Sequence, residues 1–168
     1  MLFRSKPGEP LSETWVGRAL ATGGGATWET GSYDPETGTL YWAVGNPFPD
    51  TDPSERGGTN LYTNSVVALD AATGKFKWHF QFTPYDTHDW DATQPMVLAD
   101  AMWKGKKRKL LMSAQRSGVF YVLDRITGEF LLAKPFVKKI TWVDGFDPKT
   151  GAPHLVPGNV PTEEGVKT

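Results

Sequence analysis

The sequence predicts an all-β chain, and two observations support that prediction. The turn signature Asp-x-x-Thr-Gly occurs four times in 168 residues, beginning at Asp34, Asp70, Asp124 and Asp147. Each copy follows a short run of aromatic or β-branched residues, which indicates one supersecondary unit used repeatedly. The 7 tryptophans and 18 glycines suit sheets packed face to face, because flat rings fill the space between sheets and glycines turn the corners. Together these features predict a radial array of sheets, a β-propeller.

The chemistry of the turn justifies a hairpin at each copy of the signature. The Asp carboxylate can accept backbone N–H groups two or three residues further on, and the Gly adopts the positive φ angle that closes the loop. The fullest copy runs from Ala68 to Trp78 and ends in a tryptophan. We therefore expect tryptophan-docking repeats, with Trp78 packing against a neighbouring sheet.

Strand signals dominate the chain and helix signals are nearly missing. Six segments rich in aromatic and β-branched residues are bounded by Gly, Pro, Asn or Asp: Thr39 to Val44, Ser65 to Leu69, Lys75 to Phe82, Lys109 to Ala114, Val119 to Leu123 and Phe130 to Phe136. The longest irregular stretches are Gly45 to Asn60 and Thr83 to Gln94. Long loops on a rigid β scaffold are where binding sites usually lie, so these two loops are the candidate site.

The length of the chain limits how much of a propeller it forms. A closed propeller needs about four to eight blades of four strands, and this chain supplies roughly three to four blades. We therefore expect residues 1–168 to be a partial propeller domain with open edge strands, and residues 1–12 to be extraneous or disordered. The opening Met1-Leu2-Phe3-Arg4-Ser5 has no apolar stretch behind it, so we do not expect a signal peptide.

Composition excludes several classes of partner and site. The chain has 18 basic and 19 acidic residues, a balance that gives no global attraction to nucleic acid or to an anionic membrane. No apolar run approaches the roughly 20 residues of a membrane span. Cysteine is absent, which excludes a disulfide framework and a thiolate metal site. The basic run from Lys104 to Lys109 is expected to be a solvated hairpin tip, with a docking patch as the alternative.

Six motifs follow one another in a fixed order along the chain. They are Gly23-Gly24-Gly25-Ala26-Thr27-Trp28, Tyr33-Asp34-Pro35, Gly45-Asn46-Pro47, Ala68 to Trp78, Thr83-Pro84 through Asp91, and Arg116-Ser117-Gly118 leading to Tyr121-Val122-Leu123-Asp124-Arg125. In this order, and from about Glu13 to Pro153, the chain resembles the pyrroloquinoline quinone (PQQ)-dependent alcohol dehydrogenases of the methanol and ethanol dehydrogenase type. The resemblance implies an eight-bladed propeller, of which this chain is an internal part.

The resemblance also implies which residues contact the cofactor. Trp28 matches the tryptophan whose indole lies flat on the quinone, and Gly25 and Ala26 belong to the same cofactor-binding motif. Taken alone, three glycines let a backbone pass close to a planar ligand, although Trp28 as a blade-packing ring is the alternative. Several relatives carry a hydroxyl at the position of Ala26, so one polar contact is expected to be missing. Arg116 matches the basic residue that hydrogen-bonds the quinone oxygens; the alternative is a surface arginine before a turn.

The metal site is expected at two of these motifs. Asn46 matches the family's amide ligand, and Asp89 matches both a metal ligand and the catalytic aspartate. In an extended segment residues two apart point to the same side, so we expect Asp89 and Asp91 to converge on one cation. Calcium-type relatives place a small uncharged residue at the position of Asp91, whereas lanthanide-type relatives place an aspartate there. His88 replaces the family's tryptophan, and the alternative for Asp86, Asp89 and Asp91 is that all three are solvent-facing loop charges.

Two functions from different classes therefore compete. The resemblance implies a periplasmic enzyme that oxidises primary alcohols to aldehydes by hydride transfer to PQQ. A lanthanide or calcium ion would serve as Lewis acid and Asp89 as base, with electrons passing to cytochrome c; a homodimer is left open, and the isolated chain is expected to be inactive. The alternative is a non-catalytic propeller with PQQ-like repeats that acts as a scaffold or interaction platform. A scaffold needs the turns but has no use for the set that favours the enzyme: Trp28, Asn46, Asp89 and Arg116.

Overall fold

The computed structural model describes residues 2–3 and 6–159, and strands dominate it. One α-helix (Ala19–Thr22) and two 3₁₀ turns are present in these ranges. The strands, in chain order, are β1 (Leu2–Phe3), β2 (Gly24–Ala26), β3 (Ser32–Asp34), β4 (Thr39–Val44), β5 (Pro47–Phe48), β6 (Ser65–Asp70), β7 (Phe76–Gln81), β8 (Val97–Trp103), β9 (Lys106–Ala114), β10 (Val119–Asp124), β11 (Phe130–Pro135), β12 (Val143–Phe146) and β13 (Pro153–Leu155). The all-β prediction is confirmed. None of the helices among the described residues has the length and apolarity needed to cross a membrane.

The strands form two complete four-stranded antiparallel sheets and parts of two others. The first sheet, blade A, has the order β3-β4-β6-β7, and the second, blade B, has the order β11-β10-β9-β8. Strands β1, β2 and β5 form a three-stranded sheet, and β12 pairs with β13. Within each blade, every strand pairs antiparallel with the next strand of the same blade along the chain. This is the meander that a propeller repeats around its axis.

The repeated turn signature forms as expected in all four copies. In the second copy the Asp70 carboxylate accepts hydrogen bonds from the Thr73 backbone N–H (2.9 Å) and hydroxyl (2.7 Å). Gly74 closes this turn with a φ of 70°. The corresponding glycines have φ angles between 59° and 78°: Gly38, Gly128 and Gly151. Because L side chains rarely adopt this conformation, glycine is the residue that lets each hairpin close.

The predicted strand bounds are close to the observed ones except around the basic run. The turn itself lies at Lys104 and Gly105, both with positive φ, and β9 begins at Lys106. The hairpin tip is thus where we expected it, but most of the run is strand. Lys109 pairs with Glu36 (2.5 Å) and Asp100 (2.9 Å). The charge of Lys109 is therefore neutralised by ion pairs within the protein.

The core lies between the two blades, and aromatic rings from both fill it. Tyr121 of blade B is fully buried and donates its hydroxyl to the carbonyl of Phe82 at 3.1 Å, just after blade A. Trp78 of blade A lies against the turn of blade B, because a Cβ at Gly128 would stand only 2.8 Å from the indole ring. The expected docking role of Trp78 is confirmed by this contact.

Candidate functional site

The two loops that the sequence marks as candidate site loops meet beside blade A. Arg56 joins them and is fully buried. Its guanidinium donates hydrogen bonds to the carbonyls of Pro49 (2.5 Å) and Asp50 (2.5 Å) in its own loop. It also donates to the carbonyl of Asp86 (2.5 Å), which lies in the other loop. A buried cation with several carbonyl acceptors holds the loops together as one unit.

Asp91 is the point at which four predicted site residues come together. Its Oδ1 accepts hydrogen bonds from the backbone N–H of Asn46 (3.2 Å) and from Trp28 Nε1 (3.4 Å). Arg116 Nη1 lies 3.8 Å from its Oδ2. Trp28, Asn46, Asp91 and Arg116 come from four separate motifs that span nearly ninety residues. The fold thus brings an indole, a backbone N–H of Asn46, a carboxylate and a guanidinium to one place.

Gly45 makes this convergence possible, and we did not predict its role from the sequence. A Cβ at this position would overlap Asp91 Oδ1 and lie 3.4 Å from Trp28 Nε1. The Gly45 N–H also donates to the carbonyl of Ala26 at 2.8 Å, which ties the two segments together. The only signal in the sequence was the glycine of Gly45-Asn46-Pro47, which we interpreted as part of a turn that presents Asn46.

The glycine-rich motif before Trp28 is explained by packing within the protein. A Cβ at Gly25 would lie 2.6 Å from the side chain of Val44 and 2.8 Å from the carbonyl oxygen of Gly45. The close approach that glycine allows at this position is therefore to the chain's own atoms. A contact of Gly25 or Ala26 with a cofactor stays a prediction. Trp28, by contrast, is 58% exposed, so its ring presents a flat apolar surface beside Asp91.

The segment around Asp89 and Asp91 is not extended, so the alternation argument is wrong. Asp89 has a φ of 58° and Asp91 a φ of 47°, both in the left-handed region. The reason is Asp86, whose carboxylate accepts the backbone N–H groups of His88 (2.7 Å) and Trp90 (2.8 Å) and folds the chain back on itself. The interpretation of Asp86 as a solvent-facing charge is also wrong, because it is only 1% exposed.

The carboxylate of Asp89 receives no hydrogen bond from any residue that the structure describes. Burial raises the pKa of the Asp89 carboxyl, and the nearby carboxylate of Asp91 raises it further. Arg116 opposes these effects, and Asp50 and Asp86 add to them. An anionic group held among other anions without a donor is a place where a cation would be stabilised.

The Asn46 side chain is oriented by one hydrogen bond. Its amide nitrogen donates to Asp50 Oδ1 at 3.0 Å, while its amide oxygen has no donor among residues 6–159. Within the described part of the chain, no three His, Cys, Asp or Glu side chains are clustered so that they could hold a metal ion. Among the predicted ligands, the Asp89 carboxylate and the Asn46 amide oxygen accept no hydrogen bond from these residues, whereas Asp91 Oδ1 already accepts two.

Comparisons with known proteins show which family this chain is similar to. Residues 2–134 match the family described as PQQ, glucose/ethanol/alcohol dehydrogenase, beta-propeller domain. The chain is 44% identical over 169 residues to the quinohemoprotein alcohol dehydrogenase ADH-IIG of Pseudomonas putida, a match that covers 91% of the chain and 23% of that relative. It is 45% identical over 147 residues to the quinohemoprotein alcohol dehydrogenase of Comamonas testosteroni, covering 86% of the chain and 20% of that relative.

Solved structures extend the likeness to the fold. The crystal structure of the Comamonas testosteroni enzyme matches with a TM-score of 0.76 at 45% identity, over 80% of this chain and 20% of that one. A europium-containing methanol dehydrogenase matches with a TM-score of 0.83 at 36% identity, over 93% of this chain and 27% of that one. The chain thus spans about a quarter of the length of its relatives. These matches confirm the propeller prediction, and the chain belongs to the β-propeller domain family of the PQQ-dependent glucose, ethanol and alcohol dehydrogenases.

Proposed function

We propose that this chain forms part of a longer PQQ-dependent alcohol dehydrogenase, called the parent enzyme below, that oxidises primary alcohols to aldehydes. The observation that carries the proposal is the convergence on Asp91 of Trp28, Asn46 and Arg116. A propeller that serves only as a scaffold needs its turns and its core, but it gives no reason for these three groups to meet around a carboxylate. Relatives named as quinoprotein and quinohemoprotein alcohol dehydrogenases support the same conclusion.

The donor set fits a hard cation bound beside a planar cofactor. Carboxylate and amide oxygens are the ligands that calcium and similar ions prefer. The Asp89 carboxylate and the Asn46 amide oxygen both lack donors from the described residues, so their lone pairs are available. Such ions take about six to eight oxygen ligands, so we propose that the cofactor and other parts of the parent enzyme complete the coordination.

Each residue of the site has a distinct task in the proposed reaction. When bound, PQQ supplies a hydride acceptor and the metal ion supplies a Lewis acid. Asp89 takes the proton from the alcohol hydroxyl, because its carboxylate oxygens are not engaged by other described groups. Arg116, whose guanidinium is always charged, stabilises negative charge that develops on an oxygen beside it. Trp28 offers its exposed indole face for stacking.

The later fate of the electrons and the location of the enzyme are part of the same proposal. We propose that the parent enzyme passes electrons singly to a cytochrome c and that it works in the periplasm. Two of the relatives named above are quinohemoproteins, which supports a haem group as the acceptor. Reduction of a purified c-type cytochrome by the parent enzyme and ethanol would test the acceptor, and fractionation of the source cells would test the location.

The proposed function is tested by reconstitution of the parent enzyme. Metal-free protein is supplied with PQQ and with calcium or lanthanum, and ethanol oxidation is followed with an artificial electron acceptor. We expect oxidation that requires both PQQ and a metal ion, and we expect Asp89→Ala to abolish it. The matched control is Asp70→Asn, which alters an exposed turn far from the site and should leave the rate unchanged. A protein that binds PQQ but oxidises no primary alcohol with any of these ions would reject the proposal.

A further inference from the structure

The direction of the Asp89 side chain is set by its backbone. No described residue donates a hydrogen bond to its carboxylate, so no such bond fixes the side chain. Its φ of 58° is a conformation that a non-glycine residue adopts only when its surroundings enforce it, although aspartate tolerates it better than most. Whatever fixes the backbone on either side of Asp89 therefore fixes the position of the catalytic group.

Asp86 is the group that makes both of these flanking contacts. Its Oδ1 accepts the N–H of His88 at 2.7 Å, and its Oδ2 accepts the N–H of Trp90 at 2.8 Å. These are the residues immediately before and after Asp89. Hydrogen bonds from two backbone donors to one ionised carboxylate are charge-assisted and therefore stronger than those between neutral groups. Asp86 thus accepts hydrogen bonds from the backbone on both sides of Asp89.

Asp86 is itself hydrogen-bonded by Arg56 of the other loop and by Asn64, which lies next to blade A. The Asn64 amide donates to its Oδ2 at 2.7 Å, and the oxygen of the same amide accepts the N–H of Ala92 at 3.0 Å. Arg56 donates to the Asp86 carbonyl at 2.5 Å. Since Asn64 directly precedes β6, this network fastens the loop of Asp89 to the sheet.

Side-chain packing supports the same geometry. The rings of His88 and Trp90 are stacked, with centroids 4.2 Å apart and planes inclined by 3°. Trp90 in turn contacts Trp142, with 4.7 Å between ring centroids. Two residues that flank a third can stack only if the chain turns sharply between them, so the stack places Asp89 at the apex of the turn.

We infer that Asp86 is a positioning residue for Asp89: its buried carboxylate fixes the two backbone N–H groups that flank the catalytic aspartate and thereby sets where that aspartate meets the alcohol. The inference rests on the proposed function, in which Asp89 is the base. A displacement of about 1 Å at a reacting group can cost roughly 10²-fold in rate. The role is one of geometry, so it should affect turnover more than substrate binding.

The experiment compares Asp86→Asn and Asp86→Ala with Asp70→Asn in the parent enzyme reconstituted with PQQ and metal. Asp70 is also a turn carboxylate that accepts backbone and hydroxyl donors, but it lies at an exposed hairpin. We expect kcat for ethanol to fall by about 10²-fold in Asp86→Ala and less in Asp86→Asn, with KM changed by less than about threefold. Asp70→Asn should leave both constants unchanged.

A second readout does not depend on activity. Amide hydrogen exchange in the metal-free, PQQ-free protein should show protection of the His88 and Trp90 N–H groups, and Asp86→Ala should remove it. If Asp86→Ala does not fold, Asn64→Ser takes its place, and we expect a smaller loss of both protection and kcat. Unchanged kcat in a folded Asp86 or Asn64 variant would overturn the inference, as would a loss of kcat matched by an equal loss of PQQ content. An inactive wild-type enzyme with protected amides would instead reject the proposed function alone.

Discussion

Arg125 and Asp34 form a buried ion pair that joins the turn of blade B to the turn of blade A. Arg125 Nε donates to Asp34 Oδ2 at 2.8 Å, and the two side chains are 6% and 5% exposed. The guanidinium also donates to the carbonyl of Ala99 at 3.0 Å and to Asp100 Oδ1 at 2.6 Å. The pair connects residues 91 positions apart and satisfies the polar groups that the blade interface buries.

Loss of this pair should destabilise the parent enzyme. Removing the Asp34 charge leaves the buried Arg125 guanidinium with only the exposed Asp100 carboxylate as an ionic partner, at a cost of up to about 3 kcal/mol. We expect Asp34→Asn to lower the free energy of unfolding by about this amount at neutral pH, measured by denaturant titration. The matched control is Asp70→Asn, because that carboxylate occupies the same place in an exposed turn and its lysine partner lies 4.0 Å away. Equal effects of the two substitutions would contradict the prediction.

The same carboxylate makes stability depend on pH. Burial alone would raise the pKa of Asp34, but hydrogen bonds from Arg125 and Thr37 lower it overall below the ordinary value of 3.8. Because the folded state holds this proton less readily than the unfolded state, the stabilisation is complete above the ordinary pKa and is lost as pH falls through the folded-state pKa. Thermal unfolding between about pH 6 and pH 2 should show this decline. Asp34→Asn should make the decline shallower, and an identical slope would rule out the contribution of Asp34.

The docking of Trp78 on Gly128 predicts a difference between two glycines that are otherwise alike. Gly128 and Gly74 have φ angles of 78° and 70°, so alanine strains the backbone at both. A Cβ at Gly128 would also stand 2.8 Å from the Trp78 ring, whereas nothing lies within 4 Å of a Cβ at Gly74. We expect Gly128→Ala to cost about 1–3 kcal/mol more than Gly74→Ala in the free energy of unfolding. Similar losses would show that the indole moves aside at little cost.

Local patterns in the sequence were sufficient for the turns and for six of the eight strands of blades A and B, whereas the residues around Asp91 were named from the resemblance to a known family. Strand β4 has the predicted bounds, since its β-branched and aromatic residues are enclosed by the turn at Asp34 and by Gly45. Strand β8 was missed because its residues are mostly half-buried or exposed and lack that enrichment. It is an edge strand of its sheet, so burial does not impose a clear alternation on it.

What the sequence could not reveal depends on contacts between distant segments. Arg56 lies in a loop rich in Pro, Asp and Gly, a composition typical of solvent-exposed turns, yet it is fully buried. Its burial depends on carbonyl acceptors up to 30 positions away, which no local pattern encodes. Asp86 and Gly45 were missed for the same reason. The error at Asp89 and Asp91 arose because the two-residue alternation holds only for extended backbone.

Arg116 offers a test of the charge that stabilises the proposed reaction. It is exposed and pairs with Asp91 at 3.8 Å, so its removal should leave the fold intact. If its charge stabilises a developing oxyanion, Arg116→Ala should slow cofactor reduction by roughly 10²-fold. Single-turnover absorbance measurements at saturating PQQ would measure this step, with Lys107→Ala as a surface control. An unchanged rate would show that the charge of Arg116 does not stabilise this step.

The choice of metal ion depends on Asp91. This residue adds a carboxylate next to Asp89 and Asn46, and the attraction between a site and an ion scales with the product of their charges. We therefore expect the parent enzyme to be more active with a light lanthanide than with calcium, and we expect Asp91→Ala to weaken lanthanide activation selectively. Titrating metal-free enzyme with each ion and measuring alcohol oxidation would test both expectations.

The contacts of Asp91 define the control and the outcome that would reject this prediction. Its Oδ1 accepts the Asn46 N–H, so Asp91→Ala removes a structural contact as well as a charge. Asp91→Asn keeps the oxygen acceptor and removes only the charge. It should therefore retain calcium activation while losing lanthanide activation. Full activity of the wild type with calcium, and none gained with lanthanum, would reject the prediction. It would mean that Asp91 only stabilises its loop and that, of the two carboxylates, only Asp89 binds the ion.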